Sequence, residues 1–159
     1  GYREHDHGLG LLRTIMHAAG LKTDVASLRL CRDYEELAPR LRGYDMLLMN
    51  VRSYTFAHAQ VVAKMFKKAN AKGVVLVGGM HATVDVAAMQ AVEDFDHIVQ
   101  GGGENVICDL VRDPGAHPRL VHGKQSKSLA DWPAIDRKLW PRQKVWGDLE
   151  TWPLEIDCG

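Results

Sequence analysis

The sequence predicts a doubly wound α/β fold, in which a mostly parallel sheet carries helices on both faces. Three observations support this prediction: short apolar runs typical of buried strands, segments of helical periodicity between them, and glycines directly after the strands. Strands that alternate with helices form parallel sheets connected by crossovers. Ligands of such sheets bind at the carboxyl ends of the strands, so the loops that follow the strands are the first place to look for function.

The predicted elements follow one another in regular order. Apolar residues at helical spacing indicate a first helix at 9–19, which Gly20 closes. The elements expected after it are a strand at 23–28, a helix at 34–41, a strand at 46–51, a helix at 57–71, a strand at 74–77, a helix at 85–92 and a strand at 97–100. The strand that should precede the first helix is missing or reduced to residues 2–4. The fold is therefore expected to be Rossmann- or flavodoxin-like with a truncated first strand.

Length and charge limit the possible partners. The chain has 159 residues, enough for one α/β domain at 1–123, and the prolines and four tryptophans concentrated after it predict an extended connector at 124–159. Lys plus Arg equals Asp plus Glu at 20 each, so no nucleic-acid partner is expected. No apolar run approaches the roughly 18 residues of a membrane span, and no signal peptide is evident. We expect a cytoplasmic protein with a small ligand.

Two glycine-rich loops follow predicted strands. Gly78 and Gly79 end one strand, and Gly101 to Gly103 end the next, where Glu104 is expected to enter the first turn of a helix. Glycine lets a bulky ligand approach the backbone because no Cβ intervenes. Each loop alone is equally well explained as an ordinary tight turn. Neither has the GxGxxG or GK[ST] pattern of a nucleotide site, so a phosphate cradle is weakly supported.

Taken together, the loops resemble a known family. The segments Val77-Gly-Gly-Met-His-Ala-Thr83 and Asp96-His-Ile-Val-Gln-Gly-Gly-Gly-Glu104 look like the GGxHxT and DxVxGEGE motifs of cobalamin-binding domains in radical S-adenosylmethionine (SAM) enzymes. Leu129-Ala-Asp-Trp-Pro-Ala-Ile-Asp136 resembles the LxDxPxPD connector that leads those enzymes into their catalytic barrel. The resemblance spans roughly residues 8–140. One departure is Gly102, which replaces the first glutamate of GEGE.

The resemblance implies a flat corrin over the strand ends and a nucleotide tail threaded between sheet and helices. Gly78 and Gly79 would let the tail pass, so that a valine at Gly79 should impair binding more than folding, and Ser53 or Thr55 would hydrogen-bond the tail. Arg52 would fill the lower face of the corrin as a cation that cannot ligate cobalt, or else is an ordinary exposed arginine. The cofactor-binding residues implied are Arg52, Ser53, Tyr54, Thr55, Gly78, Gly79, His81, Gly101, Gly102, Gly103 and Glu104.

His5 is the one candidate for a cobalt axial ligand. His5-Asp6-His7-Gly8 resembles the HDxG part of the DxHxxG motif, with which cobalamin-dependent mutases and methionine synthases replace the lower axial base. In that family an aspartate two residues earlier orients the imidazole, whereas this chain has Arg3 there. An exposed N-terminal histidine is the alternative, and it is the interpretation we favour.

The resemblance also implies what the rest of the parent enzyme contains. A radical SAM barrel in the same chain would bind S-adenosylmethionine and a [4Fe-4S] cluster, while this part alone would be catalytically silent. The expected parent is a methyltransferase or a related modifying enzyme. The cysteines do not form the cluster motif CxxxCxxC, and His58, His81 and His97 lack the spacing of zinc ligands. Three alternatives remain: a corrinoid carrier or mutase-type domain that uses His5, a nucleotide- or flavin-binding module, and a ligand-free interaction domain.

Overall fold

A computed structural model of the chain describes residues 7–25, 33–124, 128–136, 143–144 and 150–151. Its centre is a four-stranded parallel sheet in the order β1-β2-β3-β4. The strands are β1 (Met46–Asn50), β2 (Val74–Gly78), β3 (His97–Gln100) and β4 (Leu120–His122). Because all four run in the same direction, their carboxyl ends share one edge of the sheet.

Helices cover both faces of this sheet. They are α1 (His7–Ala18), α2 (Tyr34–Leu37), α3 (Phe56–Ala69), α4 (Met80–Val84), α5 (Val86–Gln90) and α6 (Ile107–Arg112). The predicted doubly wound α/β fold is therefore confirmed. A short antiparallel pair, β5 (Gln143–Lys144) and β6 (Glu150–Thr151), lies later in the chain. None of the helices in the described ranges is long and apolar enough to cross a membrane.

Two separate cores arise because successive side chains of a strand point to opposite faces of the sheet. Val75 and Val77 of β2 pack with the helices α2 to α5, in a cluster that includes Phe66 of α3. Leu76, between them, packs on the other face with α1 and α6, in a cluster that includes Leu110. Burial on both faces explains why the strands are continuous apolar runs rather than alternating ones.

The strand expected at 23–28 is wrong over residues 23–25, which form no strand, while residues 26–32 lie outside the described ranges. Here Arg13 of α1 binds the segment from the side. Its Nε donates to the Thr23 hydroxyl at 3.0 Å and its Nη2 to the Thr23 carbonyl at 3.1 Å. The expected remnant of a first strand, residues 2–4, also lies outside the described residues.

The helix expected at 85–92 is confirmed in shorter form as α5 (Val86–Gln90), and a short helix that was not expected, α4 (Met80–Val84), precedes it. Asp85 separates α4 from α5 with a non-helical backbone (φ −133°, ψ 67°), and its carboxylate accepts from Ala88 N at 3.0 Å as the cap of α5. The helix α4 begins directly after Gly79, so its residues lie at the carboxyl ends of the strands.

The chain beyond residue 114 is more regular than expected. β4 pairs with β3 in parallel, with Ile98 opposite Leu120 and Gln100 opposite His122. At three residues this strand is too short to produce a hydrophobic pattern in the sequence. Further along, Asp136 N donates to the Thr14 hydroxyl of α1 at 2.9 Å, so part of the predicted connector lies against the domain.

Candidate functional site

Four loops meet at the carboxyl edge of the sheet. We define them as residues 51–55 after β1, 79–84 after β2, 101–106 after β3 and 123–124 after β4, and the second of them includes the short helix α4. All eleven cofactor contacts implied by the family resemblance lie on the first three loops or, for Gly78, at the end of β2. The structure thus gathers these residues at one edge. Which of them touch a ligand remains a prediction.

The first loop is held largely by its own hydrogen bonds. The Thr55 hydroxyl accepts from Arg52 N at 2.9 Å and donates to the Arg52 carbonyl at 3.0 Å. Arg52 Nη1 in turn donates to the Tyr54 hydroxyl oxygen at 3.1 Å. A hydroxyl has a single proton, so that of Thr55 is committed within the loop. Ser53, the other hydroxyl residue proposed for the tail, has its hydroxyl 3.1 Å from His81 Nδ1, so it can still accept a hydrogen bond when it donates to that nitrogen.

The two glycines at the end of β2 differ in their surroundings. Gly79 has φ +97°, and a Cβ there would lie 1.9 Å from Asn50 Oδ1 and 2.9 Å from the Val51 amide nitrogen. A Cβ on Gly78 would meet nothing nearer than the Val99 carbonyl oxygen at 3.6 Å, an ordinary contact. The fold itself therefore requires glycine at position 79. The expected effect of a valine at Gly79 on binding alone has to be corrected, because a side chain there collides with the protein.

His81 carries the unusual polar atom of the site. Its backbone N donates to the Val51 carbonyl at 3.0 Å, and its ring lies against Phe56 with centroids 4.5 Å apart. The Nδ1 atom is 3.1 Å from the Ser53 hydroxyl oxygen. The residue is only 9% exposed, and its Nε2 is buried without a hydrogen-bond partner. A buried polar atom without a partner is uncommon in a folded protein and points to a missing ligand or solvent molecule.

Thr83 joins the second loop to the third. Its hydroxyl donates to the Gly79 carbonyl at 3.2 Å and accepts from Gly101 N at 3.1 Å. Gln100 Nε2 adds a bond to the Thr83 carbonyl at 3.4 Å. Thr83 is the last residue of the GGxHxT motif, but it was not among the predicted cofactor-binding residues. The motif was the available signal, because Thr83 fixes the two glycine-rich loops relative to each other.

The third and fourth loops approach each other through their backbones. A Cβ on Gly123 would lie 1.8 Å from the Gly102 carbonyl oxygen, and one on Gly101, at φ +89°, would lie 3.0 Å from the Gly123 carbonyl oxygen. Gly123 was missed because the strand before it was missed. The expectation for Glu104 is also wrong, since α6 begins only at Ile107 and Glu104 lies in the turn before it.

An apolar surface accompanies these loops. Tyr54, Met80 and Val84 are 65%, 67% and 70% exposed, respectively, and all three belong to the first two loops. Large apolar side chains grouped at a glycine-rich edge mark a ligand surface more often than a solvated one. The edge therefore offers an apolar platform beside a hydrogen-bonding histidine.

Two further histidines, His58 and His97, have hydrogen-bond partners within the protein. His58 Nδ1 is hydrogen-bonded to the Tyr34 hydroxyl, and His97 Nδ1 is 3.0 Å from the Pro118 carbonyl oxygen at the amino end of β3. Among the described residues no group of three or more histidine, cysteine, aspartate or glutamate side chains is arranged to hold a metal ion. His5 lies outside the described residues, so its role as a cobalt ligand stays a prediction. Burial raises the pKa of the half-buried Cys108 thiol.

A doubly wound sheet with a glycine-rich carboxyl edge defines an α/β ligand-binding domain. The model of one family, described as the B12 binding domain, matches residues 1–111, and the chain belongs to this family. Among solved structures it is similar to the N-terminal domain of a hypothetical protein from Thermotoga maritima, with a TM-score of 0.55, 18% identity, and coverage of 77% of this chain and 98% of that one. That likeness shows the fold. No curated protein matches the chain.

The residues of the carboxyl edge fit the cobalamin that this family implies. Gly78 carries no side chain at the end of β2, while Met80 and Tyr54 are exposed and would offer apolar surface to a flat ring. The buried Nε2 of His81 lacks a partner that a polar ligand can supply. Cobalamin combines a flat macrocycle with a polar tail, so both parts of the ligand find matching chemistry here.

Proposed function

We propose that this chain is the cobalamin-binding module of a radical SAM enzyme, a methyltransferase or a related modifying enzyme. The observation that carries the proposal is the order of its three motifs together with their contacts. Thr83 of the first motif is bonded to Gly101 of the second, and Asp136 of the third is bonded to Thr14 of α1. Motifs that are far apart in the sequence thus lie within one folded domain, as expected of a cofactor-binding module.

The nucleotide tail would enter beside Gly78, where no side chain stands in its way. The Ser53 hydroxyl and His81 are the polar groups nearest to hand, and the loop from Gly101 to Glu104 would line the edge of the corrin. Tyr54 and Met80 would contact its apolar surface. Each of these assignments rests on the position of the residue at the carboxyl edge and on the polar or apolar character of its side chain.

Arg52 would lie at the lower face of the corrin. Its guanidinium bonds the Tyr54 hydroxyl, an arrangement that restrains the side chain close to the strand ends. Guanidinium remains protonated in proteins and has no lone pair to offer cobalt. Arg52 would therefore shield the lower face from water without ligating the metal.

Bound cobalamin would supply methyl-transfer or redox chemistry, and the chain would orient it and set its axial environment. S-adenosylmethionine and a [4Fe-4S] cluster would be bound by a radical SAM barrel, which is the proposed partner domain. We place such an enzyme in the cytoplasm. The substrate would be held by the barrel rather than by this module.

Titration of the full chain with hydroxocobalamin tests the proposal. We expect binding with the dimethylbenzimidazole displaced, because the family resemblance implies a nucleotide tail threaded between sheet and helices. Absorbance should then shift to the base-off form. A bound cofactor that keeps the base-on spectrum of free cobalamin, or no binding at all, contradicts the proposal.

The mutase-type alternative rests on the HDxG segment and makes the opposite prediction for His5. If His5 ligates cobalt, the Co(II) form shows nitrogen superhyperfine splitting in electron paramagnetic resonance, and His5→Ala removes it. We expect His5→Ala to leave the spectrum unchanged, because Arg3 replaces the aspartate that would orient the imidazole. We expect Arg52→Ala, by contrast, to change the spectrum of the bound cofactor.

A further inference from the structure

Two buried histidines of this domain each have a hydrogen-bonded Nδ1, but among the described residues only His81 has a buried ring nitrogen without a partner. His97 is 7% exposed, and its Nδ1 has the Pro118 carbonyl as partner. His81 is 9% exposed, and its Nε2 is buried without one. Leaving a buried donor or acceptor unsatisfied costs stability, so a protein keeps such an atom where something else completes it.

The contact with Ser53 determines what kind of partner Nε2 needs. When the Ser53 hydroxyl donates to Nδ1 across the 3.1 Å separation, the neutral imidazole carries its proton on Nε2. Nε2 is then a hydrogen-bond donor, and it has no acceptor among the described residues. Phe56 against one side of the ring and the His81 backbone bond to Val51 hold this donor in a fixed orientation.

We propose that His81, oriented by Ser53, recognises the nucleotide tail of cobalamin by donating a hydrogen bond from Nε2 to an acceptor on the tail. The inference rests on the proposed function and adds the residue that selects complete cobalamin over corrinoids without a tail. The tail carries phosphate, ribose and ring-nitrogen acceptors, whereas the exposed side chains of Met80 and Tyr54 offer mainly apolar surface. His81 is thus a specificity-determining residue of the site.

The test compares two ligands, cobalamin and cobinamide, which lacks the nucleotide tail. His81→Phe keeps a ring of similar size and removes both nitrogens. Its affinity for cobalamin should fall about tenfold, the effect of one lost hydrogen bond to a polar acceptor, while its affinity for cobinamide stays within about twofold of the parent chain. Ser53 is exposed, so Ser53→Ala should not impair folding. It should lower the affinity for cobalamin about threefold and leave the affinity for cobinamide nearly unchanged.

His97→Phe is the matched control, since it removes a buried histidine that has a protein partner. It should lower the midpoint of urea unfolding but leave the ratio of the two affinities unchanged. His81→Phe should lower that midpoint less, because it removes an unsatisfied buried nitrogen together with a single hydrogen bond to the exposed Ser53 hydroxyl. Equal losses for both ligands, or no loss for either in His81→Phe and Ser53→Ala, overturn this inference. Failure of the parent chain to bind cobalamin overturns the proposed function instead.

Discussion

The two ends of the parallel sheet are built differently. At the amino edge, charged and polar groups have partners within the protein: the Asp96 carboxylate accepts from Lys67 Nζ at 2.5 Å and from Val75 N at 2.6 Å, and His97 is bonded to Pro118. The carboxyl edge is rich in glycine and exposes the apolar side chains of Met80 and Val84. There the Nε2 atom of His81 is buried without a hydrogen-bond partner. The polar groups named at the amino edge are thus satisfied within the protein, whereas the carboxyl edge keeps a buried nitrogen and exposed apolar side chains that a ligand could contact.

The largest expected effect separates the fold from the site within the carboxyl edge itself. Gly79→Ala should destabilise the chain by about 3 kcal/mol, because the residue has a positive φ and its Cβ would collide with Asn50 and Val51. Gly78→Ala should cost less than about 1 kcal/mol, since its Cβ makes ordinary contacts. Urea unfolding of the two variants measures the difference. Equal losses would show that the two glycines serve the fold alike.

Gly78→Ala then becomes the better test of the tail channel. Since the variant should fold, a loss of cobalamin affinity reports on space needed by the ligand. Gly115→Ala is a suitable control, because its Cβ would meet only the Asp113 side chain at 3.6 Å, away from the carboxyl edge. Unchanged affinity in Gly78→Ala would mean that the tail does not pass beside β2.

At the amino edge, Asp96→Ala should lower the free energy of unfolding by about 2 kcal/mol, because it removes two hydrogen bonds to one carboxylate and leaves Lys67 without its ion-pair partner. Cobalamin affinity of the folded fraction should not change. Thermal unfolding and ligand titration of the same preparation test both statements. A selective loss of affinity would show that the two edges are coupled.

A smaller effect is expected from the link between the glycine-rich loops. Thr83→Val keeps the shape of the side chain but removes the hydroxyl that bonds Gly79 and Gly101, and should cost about 1 kcal/mol of stability. Cobalamin affinity should also fall, by a few-fold, because the two loops lose their fixed separation. Thr83→Ser, which retains the hydroxyl, serves as the control. If Thr83→Ser and Thr83→Val behave alike, the bridge is unimportant.

The smallest effect concerns pH at the amino edge. The Tyr44 hydroxyl donates to Asp24 at 2.8 Å, which lowers the pKa of that carboxyl and raises the pKa of Tyr44. A carboxyl whose pKa is depressed on folding adds stability above its unfolded value of 3.8, and this is lost as the pH falls through the lower folded pKa. Tyr44→Phe should therefore cost a few tenths of a kcal/mol at pH 7, and the difference should vanish as the pH falls through the lowered folded pKa of Asp24. A difference independent of pH would rule out this hydrogen bond as its cause.

Much of the fold could be predicted because the strands are buried on both faces and therefore stand out as apolar runs. β3 has the predicted bounds, and β1 and β2 differ by one residue. The misses have local causes. The short helix α4 ends at the aspartate at position 85, which caps the expected helix, and β4 is too short to leave a periodic pattern.

The site was predictable as a set of loops but not as a set of contacts. Glycine pairs mark where backbones approach, yet the sequence does not say whether the other party is a ligand or the protein. For Gly79 it is Asn50 and Val51, and for Gly102 it is Gly123. The pairing of Ser53 with His81 joins residues 28 positions apart, and only the folded sheet brings them together.

The hydrogen bond from Asp136 to Thr14 bears on how the domain should be shortened for crystallisation or nuclear magnetic resonance. Thr14 is nearly inaccessible, and its hydroxyl accepts from Asp136 N at 2.9 Å while donating to the Gly10 carbonyl at 2.9 Å. Ending the chain after β4, at Gly123, would strip this cover from α1 and expose the helix surface beneath it. A terminus placed just beyond Asp136 retains the contact and is the better boundary for a minimal expressed fragment.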